Sequence, residues 1–213
     1  KKNKTRNGKR EYSQWSEQYD SNENKTRDLE AIALREMLGK IQFENCLEIG
    51  CGTGKNTEWL KTKGKKILAV DLSEEMLAVA RNKGSNQNVQ FIKTDINADW
   101  DFTHEQFDLI VCSLVLEHIE NINRIMRLIS ERLKPGGTLY IGELHPFKQY
   151  TGSKAKFKNE KVELDINCYT HHISEFTNSA KKYLLPLIEV NEFFDGPEAP
   201  IPRILTLKFV KSN

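Results

Sequence analysis

The chain has no apolar run near the roughly 20 residues that a membrane-spanning helix needs. Its first ten residues are basic and polar with no apolar stretch behind them, so no secretory signal is visible, and it begins at Lys1 rather than Met. Cysteine is scarce. The four present, at 46, 51, 112 and 168, form no C-x-x-C pair, which argues against a zinc framework. They read as small buried fillers in a reduced, cytoplasmic protein. Basic charge is also thin outside one place. Lys1, Lys2, Lys4, Arg6, Lys9 and Arg10 carry six positive charges with no acid among them, and without these the net +2 becomes 26 basic against 30 acidic residues, or −4. A body of that sign is a poor partner for nucleic acid. Residues 1–10 are therefore expected to be a disordered tail, and 11–213 a single domain of ordinary composition, 38% hydrophobic and 29% charged.

Against these absences stands one dense feature. Leu47-Glu48-Ile49-Gly50-Cys51-Gly52-Thr53-Gly54 is an apolar strand with an acid near its end, running into three alternating glycines and then a helix start. Glycines there let the backbone turn tightly and approach a ligand. A strand, a glycine turn and a helix N-terminus make a nucleotide or nucleoside site. The spacing is G-x-G-x-G, not the G-x-G-x-x-G of dinucleotide enzymes.

Apolar periodicity fills in the rest. Helices are expected over Leu29–Leu38, Asn56–Lys63, Ser73 to about Asn82, His118–Leu133 and His171–Leu185. Strands are expected at Cys46–Ile49, Lys66–Val70 ending at Asp71, Val89–Lys93, Phe107–Cys112, Thr138–Leu144, Leu187–Phe194 and Ile204–Val210. Strand and helix alternate over residues 29–144, which implies a parallel, doubly wound sheet with ligands at the carboxyl ends of its strands. Glu48 to Gly54, Asp71, Asp95, Ser113 and Leu114 all fall at such ends. Residues 145–170 break the alternation as a polar, lysine-rich insertion, with Leu164 and Ile166 as one short strand in it.

Glu48-Ile49-Gly50-Cys51-Gly52-Thr53-Gly54 matches every fixed position of E/D-x-G-x-G-x-G, and FDLIVCSLVLEHI and LKPGGTLYI follow in order. In this the chain resembles the class I S-adenosylmethionine-dependent methyltransferases of small-molecule type, over roughly residues 10–211. The resemblance implies a Rossmann-like seven-stranded sheet, mostly parallel, with an antiparallel last strand inserted between the fifth and sixth, and helices on both faces. It implies S-adenosylmethionine as cofactor and S-adenosylhomocysteine as product. Glu48, Gly50, Cys51, Gly52 and Gly54 would form the cradle, and Asp71 would hold the ribose hydroxyls. Leu72 and Met76 would line the adenine. Asp95 and Ile96 would meet its amino group and ring, although Asp95 also suits a cap or turn. Ser113 and Leu114 complete the cofactor set. Tyr12, Trp15 and Tyr19 share one helical face. They either staple an N-terminal helix to the core or, as the resemblance implies, form a lid, with Tyr19 toward the cofactor and Tyr12 and Trp15 toward the acceptor.

Methyl transfer is an in-line displacement, so alignment and exclusion of water matter most, and a base is needed only where the acceptor must lose a proton. His145 is the first candidate for that base or for acceptor contact, with His118 and Glu143 beside it. His118 equally suits a capping or core role, and His145 a structural one. Phe147, Tyr150, Tyr169, His171 and His172 are candidate acceptor contacts, and one of the last two suits a helix cap. No N/D-P-P-Y/F/W step and no Pro-Cys pair is present, which argues against adenine, glutamine-amide or cytosine-carbon methylation. The expected function is methyl transfer to O, N or C of a small organic acceptor, by a cytoplasmic monomer or homodimer with no metal and no membrane partner. The alternatives are a cofactor-binding regulatory module, a methyltransferase acting on protein or RNA, and, against the glycine spacing, a nicotinamide-dependent oxidoreductase.

Overall fold

A computed structural model describes residues 24–152 and 168–212. The basic tail, Tyr12, Trp15, Tyr19 and the Leu164–Ile166 strand lie outside the described residues.

The order of elements is α1 (Lys25–Leu38), β1 (Asn45–Ile49), α2 (Thr57–Lys63), β2 (Lys66–Asp71), α3 (Glu74–Arg81), β3 (Val89–Lys93), β4 (Phe107–Ser113), α4 (Ile122–Arg132), β5 (Leu133–Leu144), α5 (Pro146–Tyr150), α6 (Ile173–Lys182), β6 (Leu187–Phe193) and β7 (Ile204–Val210). The strands form one seven-stranded sheet in the order β3-β2-β1-β4-β5-β7-β6. Neighbours from β3 to β5 run parallel, and β7 is antiparallel to both β5 and β6. The order reverses between β1 and β4, the switch point where such sheets bind ligands.

Side chains alternate between the two faces of each strand. Leu47, Ile49, Ile110, Cys112, Leu139 and Ile141 bury on one face against Ile122, Ile125 and Ile129 of α4 and Phe176 of α6. Cys46, Leu109, Val111 and Tyr140 bury on the other against Leu34, Met37 and Leu38 of α1 and Leu60 of α2. The central strands are apolar on both faces because both are covered. The same alternation sends the last polar residues of the strands to defined sides. Glu48 and Ser113 face the α1/α2 layer, and Glu143 faces the α4 layer.

Most boundaries fall within two residues of expectation, and four differ. Strand β5 begins at Leu133, five residues before the expected Thr138, because Leu133 already pairs with Phe107 of β4 and residues 134–137 are carried within the strand. The other three are helices. Helix α1 begins four residues before Leu29, because the Asn24 side chain caps it by accepting from Arg27 N at 3.1 Å. The helix expected from His118 is two pieces: a 3₁₀ turn, Leu116–His118, and α4, restarted by the Asn121 cap. The cause is Glu143, whose Oε1 accepts from Val115 N (3.0 Å) and Leu116 N (2.8 Å) and so ties the turn to β5. His118 thus ends a turn rather than opening a helix. The helix expected over His171–Leu185 is shorter, with His172 as its N-cap residue and Tyr183 as its C-cap. Within the insertion, Pro146–Tyr150 forms one short helix capped by His145.

Candidate functional site

The cradle is built from backbone first. Gly50 N and Cys51 N donate to Val70 O, fastening the β1 loop to β2. Gly50 and Gly52 have positive φ, +72° and +53°. A Cβ on Gly50 would sit 2.5 Å from Val115 Cγ2, whereas one on Gly52 would meet nothing within 4 Å. Gly50 therefore makes room for the protein, and Gly52 leaves room for something else. Gly54 N closes the turn onto Cys51 O. The Cys51 side chain packs with Ala69 and Leu77, so it meets the cradle through its backbone.

Asp71 clamps the loop from the end of β2. Its Oδ2 accepts from Gly52 N at 2.8 Å and its Oδ1 from Ser73 N at 2.9 Å. Burial pushes its carboxyl above the ordinary range, and these backbone bonds pull it back. Leu72 stands 64% exposed beside it, and Met76 follows in the first turn of α3, its N bonded to the Ser73 hydroxyl. A bare apolar side chain next to a carboxylate suits a flat apolar ring bearing hydroxyls. Asp95 is exposed and caps its own turn through Asn97 N, with Ile96 buried behind it.

A cavity of about 100 Å³ opens beneath the loop, lined by Arg27, Glu30, Glu48, Gly50 to Thr53, Lys55, Asn56, Ser113 and Leu114. Glu48 is 2% exposed and accepts from the Thr57 hydroxyl at 2.5 Å. Burial first, then the charges of Glu30 and Asp71, push its carboxyl up to about 8. Glu30, 1% exposed, accepts from Asn56 Nδ2 and from the Tyr140 hydroxyl, each at 3.0 Å, and burial raises it too. Lys55 is paired with Asp28. Glu30 and Glu48 thus converge on a cavity that Arg27 and Lys55 also line.

Glu30, Asn56, Thr57 and Arg27 were not anticipated from the sequence. A signal existed for Glu30: an acid at i−4 and i−8 from Leu34 and Leu38 sits in the buried stripe of α1.

On the α4 side, Glu143 is 4% exposed, with Oε2 buried and unpartnered. Glu117, 7% exposed, also has a buried unpartnered Oε2. Burial raises both carboxyls, and the charge of Glu117 raises Glu143 further. His118 lies beside Glu117 Oε1 (4.0 Å) and Cys168 Sγ (3.9 Å). Leu114 is held at φ +51° by its N–H to Gly142 O, so β4 ends in a strained turn beside Ser113.

The acceptor candidates from the rest of the chain are scattered. His145 is buried with both ring nitrogens engaged: Nδ1 accepts from Phe147 N at 3.1 Å, and Nε2 lies 3.0 Å from Glu192 of β6. His171 is buried, its Nε2 donating to Ile119 O at 2.7 Å. Tyr169 N donates to Glu117 O at 2.7 Å. His172 and Tyr150 meet at 2.5 Å on the surface, and Phe147 is 49% exposed. The structure thus gathers His118, Glu143 and Tyr169 around Glu117, ties His145 and His171 into the scaffold, and leaves Phe147, Tyr150 and His172 at the rim. No helix among the described residues is long and apolar enough to cross a membrane.

Comparison with known proteins gives a consistent picture. The family described as methyltransferase domain matches residues 47–141. The ubiquinone biosynthesis O-methyltransferase of Coxiella burnetii (strain Dugway 5J108-111) is 32% identical over 157 residues, 70% of this chain and 67% of that protein. The chain spans about half the length of other curated relatives that it matches. Among solved structures, an S-adenosylmethionine-dependent methyltransferase from Mesorhizobium loti superposes with a TM-score of 0.70 at 23% identity, covering 84% of this chain and 96% of that one. The N-methyltransferase NodS of Bradyrhizobium japonicum WM9, in complex with S-adenosyl-L-homocysteine, gives 0.67 at 24% identity, covering 88% and 87%.

Proposed function

Because this chain belongs to the S-adenosylmethionine-dependent methyltransferases, we propose that it transfers a methyl group to O, N or C of a small organic acceptor. The single observation that carries this is the acid-lined glycine cradle at the switch point. Glu48 and Glu30 border a small cavity, and Asp71, beside the exposed Leu72, holds the loop through Gly52 N. S-adenosylmethionine supplies a methyl group on a positively charged sulfur, together with an ammonium and a carboxylate, and a cavity lined by the acids Glu30 and Glu48 and by the base Arg27 offers groups of both signs to such a tail.

In this reading Gly50, Gly52 and Gly54 hold the loop open, and the Asp71 carboxylate accepts the ribose hydroxyls with its remaining lone pairs. Leu72, Met76 and Ile96 cover the adenine, with Asp95 at its edge. Ser113 and Leu114 wall the cradle from β4. Glu143 holds the β4 turn in shape, and Glu117 and His118 stand nearest the acceptor, where a proton is to be received. His145 acts by bracing the β5 end against β6, with Phe147, Tyr150, Tyr169, His171 and His172 forming or supporting the acceptor rim. The setting proposed is the cytoplasm, as a monomer or homodimer without a nucleic-acid partner. The four free cysteines are in keeping with a reducing compartment.

Calorimetry with S-adenosylhomocysteine tests the reading. The Asp71→Ala chain is expected to bind about 100-fold more weakly than the parent, since ribose contacts and the loop clamp are lost together. Equal affinity in a folded variant would refute the assignment of Asp71.

A further inference from the structure

Glu30 lies outside every motif that marks the cradle. It comes from α1, yet it is among the most completely enclosed carboxyl groups of the described residues. The fold makes a dedicated space for it. A Cβ on Gly142 of β5 would lie 2.5 Å from Glu30 Oε1 and 2.6 Å from the Tyr140 hydroxyl, so a larger residue there would push the pair aside. Tyr140, Asn56 and Ser113 all bond the carboxyl. All three are neutral; Arg35 acts on the carboxyl only through its charge, and Arg27 lines the same cavity.

Asn56 adds a second acceptor. Its Nδ2 is fixed by two acceptors, Glu30 Oε2 at 3.0 Å and Ser113 Oγ at 3.1 Å. That orientation leaves its Oδ1 buried and without a donor, a state that costs free energy unless a ligand supplies one. Both groups line the cavity of about 100 Å³ that Glu48 also borders. That volume admits a small charged group. The carboxyl groups of Glu30 and Glu48 and the amide oxygen of Asn56 around one small space can accept the three N–H bonds of a primary ammonium once Glu48 gives up its proton.

We propose that Glu30, with Asn56 Oδ1, recognises the ammonium of the cofactor's amino-acid tail and so selects for an intact tail. The proposal rests on the reading that the cradle takes S-adenosylmethionine. A helix usually regarded as packing would thereby carry a specificity determinant. It also links cofactor loading to the docking of α1, because the carboxylate that reads the ligand is the one that pins this helix to β5 through Tyr140.

The test uses the full chain and three ligands in calorimetry: S-adenosylhomocysteine, its des-amino analogue, and 5′-methylthioadenosine, which lacks the tail. The parent is expected to prefer S-adenosylhomocysteine over the des-amino compound. Glu30→Gln, checked for folding by its melting curve, is expected to lose about 10- to 100-fold in S-adenosylhomocysteine affinity and to erase that preference, with methylthioadenosine unchanged within about twofold. Asn56→Ala should shift the same preference in the same direction by less, and serves as the readout if Glu30→Gln is too unstable. An equal loss for all three ligands would mean that Glu30 only braces the fold, and an unaltered preference would also overturn the proposal. A parent chain that binds none of the three would remove the cofactor reading itself and the proposal with it.

Discussion

The two ends of the ligand-bearing edge are built differently. On the α1/α2 side, the cradle consists of backbone and enclosed acids, each held by neutral donors from a neighbouring element: Glu48 by Thr57, Glu30 by Tyr140 and Asn56, Asp71 by Gly52 and Ser73. On the β5 side, the walls are histidines and aromatics that tie distant segments together, His145 to Glu192, Tyr150 to His172 and His171 to Ile119. One end encloses its acids beside an open cavity. The other satisfies its polar groups internally and leaves Phe147 and Tyr150 exposed. Where the ligand is the same throughout a family, its site can be fixed into the sheet. Where the ligand varies, the site is left to side chains on added segments.

The comparison is tested most severely at the glycines. Gly50→Ala places a methyl against Val115 in a left-handed backbone, and should cost about 3 kcal/mol and abolish S-adenosylhomocysteine binding. Gly52→Ala meets no protein atom, so it should cost only about 1 kcal/mol while still weakening binding. Thermal melts alongside calorimetry separate the two, and equal stability losses would mean that Gly52 is also packing.

The next effect is protonic. Glu48 has its folded pKa raised to about 8, so it is protonated at pH 7. A raised acid favours the fold below its unfolded value and loses that contribution as pH climbs through 8. The ligand-free protein should therefore become less stable between about pH 5 and 8 from this group. A cationic ligand reverses the bias, so binding at pH 7 should release up to about one proton, seen as a dependence of the binding enthalpy on buffer ionisation heat. Proton uptake would contradict the charge argument.

The smallest effect belongs to the other end. His145→Ala should cost about 1 kcal/mol, by loss of its bonds to Phe147 N and the half-exposed Glu192, with S-adenosylhomocysteine affinity unchanged within about twofold. A large loss of affinity would erase the distinction between the two ends.

The cradle was legible because its determinants are contiguous. Positive φ, close packing and a strand-end acid must all occur within Glu48–Gly54, and Asp71 follows one strand later. Glu30 was hidden because an acid inside an amphipathic helix looks like any surface charge until the sheet arrives beneath it. The break between His118 and Ile122 was hidden for a related reason, since apolar periodicity runs through it and the group that interrupts it, Glu143, lies 27 residues beyond the Leu116 N–H that it holds. His145 and His171 kept structural alternatives open, and only their partners on β6 and at Ile119 show how their nitrogens are spent.

The sequence alone determined the parallel layers, the turn at Gly50–Gly54 and the acids at the strand ends, because those follow from local sterics and from the alternation of apolar residues. Tertiary structure decided which acids lose water and which gain donors. Desolvation and hydrogen bonding depend on what packs from the opposite layer, and for Glu30 that is Tyr140, separated from it by 110 positions along the chain.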